Sequence, residues 1–150
     1  MRLWLLIYVF FLSACTTSSE AETHRDSLYE TFQEFRSLVV EDYTLATEAM
    51  ISDEYVARTR QAQENMPQEL RSPYFENLAK KIQTEHSHFE KMGTSEGCLT
   101  INGLDDQKRP KSLSLYYIKE NGKWVFDSIM VAGHQTVNDY YNQAMCPDLE

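Results

Sequence analysis

Histidine and cysteine are the side chains most often recruited for catalysis and metal binding, and this chain carries four histidines and three cysteines. His86 and His88 stand two apart in a stretch whose apolar residues Phe75, Leu78, Ile82 and Phe89 recur at helical spacing. Two positions on a helix amount to about 200° of rotation, so this pair could not share a metal ion, whereas His86 and Glu90, four apart, could. No third ligand follows at a suggestive spacing, so the stretch reads as a solvated helix face and no metal is expected. His134, next to Gly133 where a strand should end, is the best-placed histidine for a pocket rim, against the simpler reading of a loop histidine. No Ser or Cys sits in a nucleophile-elbow pattern, and the five glycines form no loop that could cradle a phosphate. Nucleophilic catalysis and nucleotide binding are disfavoured, and no cofactor is expected.

Cys15 follows a basic start at Arg2, an uninterrupted apolar run over residues 3–12, and the small residues Ser13 and Ala14. That is the layout of a secretory signal. Ten apolar residues at about 1.5 Å each reach only half of a hydrocarbon core about 30 Å thick, so the run is an h-region and not a transmembrane helix. Leu12-Ser13-Ala14-Cys15 resembles the lipobox of bacterial lipoproteins. The resemblance implies cleavage before Cys15, lipid on its thiol, and two or three acyl chains, enough for stable membrane attachment. Thr16, where an inner-membrane retention signal usually places Asp, implies the outer membrane, with the protein facing the periplasm.

Residues 1–14 are thus expected to be a signal peptide, 15–26 the lipidated Cys15 with a small, polar tether, and 27–150 a single domain. Losing Arg2 takes the net charge from −9 to −10. So acidic a surface argues against nucleic acid and anionic headgroups as partners, which leaves membrane contact to the lipid. The oxidising compartment that a lipoprotein enters makes Cys98 and Cys146 a natural disulfide, with two buried free thiols as the alternative. Closing that loop would restrict the unfolded chain by about 4 kcal/mol in the loop-entropy model.

The elements that must position these residues come in two blocks. Leu28, Phe32, Phe35 and Val39 make an amphipathic stripe opened by a Ser27/Glu30 capping box. The stripe runs on through Tyr43, Ala46 and Met50, either as one long helix or, preferably, as two helices broken near Glu41-Asp42. Ser52-Asp53-Glu54 starts a further helix ending before Pro67, and Ser72-Pro73 starts another, closed by Gly93. After Gly97 the period changes to two. Leu99 and Ile101 alternate with Cys98, Thr100 and Asn102; Leu113, Leu115 and Tyr117 alternate with Ser112, Ser114 and Tyr116. Asn121-Gly122 then predicts a type I′ hairpin turn, for at least three antiparallel strands. The last strand, 123–132, is apolar on both faces, so its second face should be covered by a dimer partner, by the C-terminal segment through Tyr140 and Tyr141, or by a ligand.

Helices followed by a meander make an α+β plan with N-terminal helices on a curved antiparallel sheet. Residues 32–43 and Asn121-Gly122-Lys123-Trp124-Val125-Phe126-Asp127-Ser128-Ile129 resemble the first helix and closing hairpin of NTF2-like domains, in which a curved sheet forms a cone. Family members that are enzymes use a carboxylate and a Tyr in the cone, which by resemblance makes Asp127 and Tyr117 catalytic candidates alongside His134; the competing reading puts Asp127 at a sheet edge or on the backbone. Residues 135–146, a short helix capped at Thr136, depart from that plan.

The expected function is a membrane-anchored, non-catalytic binding module. It would hold a protein partner, including an inhibitory or immunity-type role, or an apolar ligand, through Trp124, Phe126, Tyr140 and Tyr141. A homodimer through the sheet, an isomerase or hydrolase, and a structural part of an envelope assembly stand as alternatives.

Overall fold

The computed structural model describes residues 27–68, 71 and 73–147, so the signal peptide, Cys15, the tether and the Ser72 cap lie outside the described residues. Four helices precede a four-stranded antiparallel sheet: α1 (Leu28–Glu41), α2 (Tyr43–Met50), α3 (Asp53–Glu64), α4 (Tyr74–Ala79), β1 (Thr84–Met92), β2 (Glu96–Leu104), β3 (Pro110–Glu120) and β4 (Lys123–Gly133). Among the described residues the sheet is a meander, β1-β2-β3-β4, that does not close into a barrel; β1 is an unpaired edge, and the β4 edge carries only an isolated bridge from Ile51 to Phe126. The architecture is α+β, with the helices on one face.

Local chemistry accounts for the helix boundaries. Ser27 accepts from the Glu30 amide, and Glu90 of β1 completes the cap by accepting from Leu28 N over 2.8 Å and from Ser27 Oγ over 3.0 Å. A carboxylate from a strand thus sits at the positive end of α1. The stripe breaks where expected: Asp42 ends α1, and its side chain caps α2 through Leu45 N. Ser52 caps α3 in the same way through Tyr55 N.

The core lies between α1, α2, α4 and the inward side chains of the sheet. Leu28, Phe32, Phe35 and Val39 meet Leu99 and Ile101 of β2, Leu113, Leu115 and Tyr117 of β3, and Phe126 of β4. Phe35 stands edge-on to Phe126 with ring centroids 4.7 Å apart. Burying such side chains contributes about 1.5–3 kcal/mol each. At Gly103 the chain entering β1 crosses so closely that a Cβ would lie 2.2 Å from the Thr84 carbonyl. The turn at Asn121 (φ 50°) and Gly122 (φ 81°) is the two-residue hairpin that the sequence predicts.

Two expectations are corrected. The helix expected from Pro73 to Gly93 ends at Ala79, and Thr84–Met92 forms a fourth strand, β1. Gly93 instead serves the β1–β2 turn, its amide donating to the Glu96 carbonyl over 2.7 Å. Residues 135–146 are not a helix beyond one 3-10 turn, Val137–Asp139, although Thr136 does cap it, with a full capping box to Asp139.

Candidate functional site

The helix-facing side of β2 and β3 is apolar and the opposite side is a polar ladder, yet that ladder is buried. Thr100, Asn102, Ser112 and Ser114 are at most 5 % exposed because the chain beyond β4 folds back over them as a tail. Thr100 and Ser114 bond each other across the strands at 3.0 Å. Asn102 Nδ2 donates to Ser87 Oγ over 3.0 Å and to the Tyr141 carbonyl over 2.8 Å, and Met145 N donates to Thr100 Oγ1 over 2.8 Å. The Cys98–Cys146 disulfide, with Cα atoms 5.5 Å apart, closes the far end of this strap. Among the described residues, every buried side-chain nitrogen or oxygen has a partner.

Counting protons along the ladder fixes the state of His134. Asn102 Oδ1 can only accept, so the Ser112 hydroxyl spends its single proton on it over 2.6 Å. His134 Nε2, 2.7 Å from Ser112 Oγ, must then carry a proton and donate. The imidazole is further held between the Tyr140 and Tyr141 rings, at 5.6 and 5.3 Å. Tyr140 donates its hydroxyl to the Gly103 carbonyl over 2.7 Å, and burial raises its pKa.

The catalytic candidates do not converge. Tyr117 points into the helix-side core, where it is fully buried with its pKa pushed up by burial; its hydroxyl donates weakly to the Leu28 carbonyl at 3.5 Å. His134 lies on the opposite side of the sheet, under the tail. Asp127 is the bulge residue of β4, where Ser52 donates to its carboxylate, Arg58 Nη2 donates to its carbonyl over 2.7 Å and sits 3.5 Å from its carboxylate. Those bonds pin α3 to the sheet. Of the expected binding residues, Phe126 belongs to the core and Trp124 is 8 % exposed beneath the Lys119 ammonium, while Tyr140 and Tyr141 are half-buried in the tail.

His86 and His88 lie on a strand, but a bulge between Glu85 and Ser87 keeps them apart. His86 reaches the tail side, edge-on to Tyr140, whereas His88 stacks on Tyr29 of α1 at 3.7 Å with Nδ1 3.0 Å from Glu85. Glu90 is committed to α1, so His86 and Glu90 do not meet. Among the described residues, no group of three His, Cys, Asp or Glu side chains is placed to hold a metal ion, and no helix is long and apolar enough to cross a membrane.

What the strap creates is a groove. Phe89, Glu90 and Lys91 of β1 form one side and residues 142–147 the other, around an open volume of about 510 Å³. Phe89 and Lys91 pair with Thr100 and Cys98, so their side chains share the tail-covered side of the sheet. The groove offers an ammonium at Lys91, the amides of Asn142 and Gln143, and apolar surface from Phe89 and Met145. Beside it runs the free edge of β1. No protein-family model matches the chain, and no curated protein matches it. The groove's chemistry therefore carries the functional argument by itself. Sequence reasoning touched Phe89 and Glu90 only as members of a helix face and Cys146 only as a disulfide partner, and brought none of them to a groove; the pairing of Cys98 with Cys146 was the signal that could have drawn the tail over β2.

Proposed function

We propose that this protein is a non-catalytic binding module of the cell envelope, lipidated at Cys15 and held at the outer membrane facing the periplasm, whose groove takes an extended segment of a protein partner. The observation that supports binding is the strap itself: a segment fixed at Tyr141, Met145 and Cys146 stands beside an unpaired strand edge. An edge strand offers main-chain donors and acceptors to an added strand, and side-chain pockets beside it supply selectivity. The amides of Asn142 and Gln143 both donate and accept, which suits reading a peptide backbone. The chain's net charge of −9 favours a basic partner, as an inhibitory or immunity-type role would require.

The non-catalytic reading is supported by Asp127, Tyr117 and His134 being engaged in three separate places. We read the fold as a shortened NTF2-like plan, supported by a helical layer followed by a meander with its closing hairpin at Asn121-Gly122, and differing in its open sheet. The anchoring half of the proposal is tested by cell fractionation: the native chain should pellet with membranes and Cys15→Ser should not. The binding half is tested by purification with and without Phe89→Asp. A basic protein retained by the native chain and lost with Phe89→Asp supports it; a co-purifying lipid or metabolite with no protein overturns it.

A further inference from the structure

The two edges of the sheet are treated differently. β1 carries Glu85, Glu90 and Lys91 and a bulge at His86, which set a second copy of the same edge against its own charges and its own bulge while leaving the edge open to a segment of complementary charge. β4 has cover only along its first half, where Ile51 bridges Phe126, Ser52 N donates to the Phe126 carbonyl over 3.1 Å and Arg58 reaches the Asp127 carbonyl. Residues 128–133 beyond it contain no charge and no proline. Met130 on the tail side and Val131 on the helix side are 48 % and 41 % exposed, because the tail covers β2 and β3 and the helices stop short of this end. At about 3.4 Å per residue, this bare edge runs for about 20 Å.

We propose that this edge takes the same edge of a second copy, antiparallel about a twofold axis at Met130, to give one continuous eight-stranded sheet. The strand is its own complement. An axis at Met130 sets Ile129 beside Val131 on the helix side and Met130 beside Met130 on the tail side, so apolar meets apolar on both faces. Asp127 then falls opposite Gly133, so no like charges oppose each other within the paired stretch; a Cβ at Gly133 would meet nothing within 4 Å, which leaves room there. A heterologous strand would find the same hydrogen-bonding groups, but the absence of charge gives it nothing to be selected by, while the net −9 of each copy is screened beyond a Debye length of about 8 Å at physiological salt. The pairing leaves both β1 edges and both grooves at the outer ends of the sheet, and it does not depend on what those grooves hold.

The test is the mass of the full chain in detergent, by sedimentation equilibrium at micromolar concentration, for the native protein and for Met130→Lys, Val131→Lys and Val40→Lys. Val40 is 63 % exposed on α1, far along the chain from β4, and serves as the control. All three sites are open to solvent in one copy, and circular dichroism checks that each variant folds. Twice the chain mass for the native protein and Val40→Lys, with a single chain mass for both β4 variants, is the result expected. A monomeric native protein, whatever other strand its edge captures, or a dimer that survives both β4 substitutions, would overturn the proposal.

Discussion

Asn102 donates from Nδ2 to the Tyr141 carbonyl over 2.8 Å, so a side chain in the middle of β2 holds the main chain of the tail. The same amide accepts from Ser112 through Oδ1. Asn102→Ala should strand the Tyr141 carbonyl and take the acceptor from the Ser112 proton, while Ser112 Oγ still accepts from His134 Nε2, and each buried group left unpaired costs about 1–3 kcal/mol. Chemical denaturation should report a loss of at least about 2 kcal/mol, with faster proteolytic cutting near residue 141. A variant as stable and as resistant as the native chain would mean that the tail is held some other way.

Removing the disulfide should loosen the strap from its far end. Cys98→Ser with Cys146→Ser, or reduction of the native protein, should lower stability by up to about 4 kcal/mol, since 48 residues separate the two cysteines. Limited proteolysis should then find new sites between residues 142 and 147 before the sheet is cut.

Glu90 links the groove's strand to the start of α1. Its carboxylate accepts from Leu28 N, Tyr29 N and Ser27 Oγ, at the end of the helix where negative charge is favourable. Glu90→Ala should cost about 1–2 kcal/mol, the usual size of a lost cap, and Glu90→Gln less, because one accepting oxygen remains.

Stability should fall at both extremes of pH, for different reasons. Burial raises the Asp105 pKa, but hydrogen bonds from Lys111 Nζ (2.9 Å), Arg109 and the Gln107 amide outweigh it and hold the carboxyl well below its ordinary range. A depressed carboxylate stabilises the fold above its unfolded value, near pH 4, and that contribution fades as pH falls from there towards the folded value. Asp105→Asn should flatten the acid limb of an unfolding curve. At the other end, burial and the hydrogen bond with Glu96 push Tyr116 up to about 12. A raised tyrosine stabilises fully below about pH 10, and the contribution is lost as pH rises through the folded value. Tyr116→Phe should remove that part of the alkaline limb, followed by tyrosinate absorbance.

Much of the helical layer was legible because each boundary is a local event. Ser27, Asp42 and Ser52 cap helices with their own side chains, and Asn121-Gly122 makes its turn without help from distant residues. β1 was hidden for the opposite reason. The spacing of Phe75, Leu78, Ile82 and Phe89 imitates one helix face, but Ile82 is buried after α4 has ended and Phe89 sits on a strand. An edge strand whose charged side chains cap α1 and rim a groove shows no apolar alternation to read. The burial of the ladder was equally illegible: Thr100, Asn102, Ser112 and Ser114 alternate as a wet sheet face does, and only the folded-back tail makes them interior. The apolar character of β4 on both faces was real, but the tail lies over β2 and β3, and Met130 stays exposed.

The groove's role as a protein-binding site is tested most directly by a photoreactive amino acid at Gln143, introduced into the full chain in the cells that produce it. Irradiation should give one discrete protein adduct from Gln143, absent when Phe89→Asp is added and absent from the same probe at Val40. No adduct from Gln143, or an identical set of adducts from Val40, would contradict a binding role for the groove.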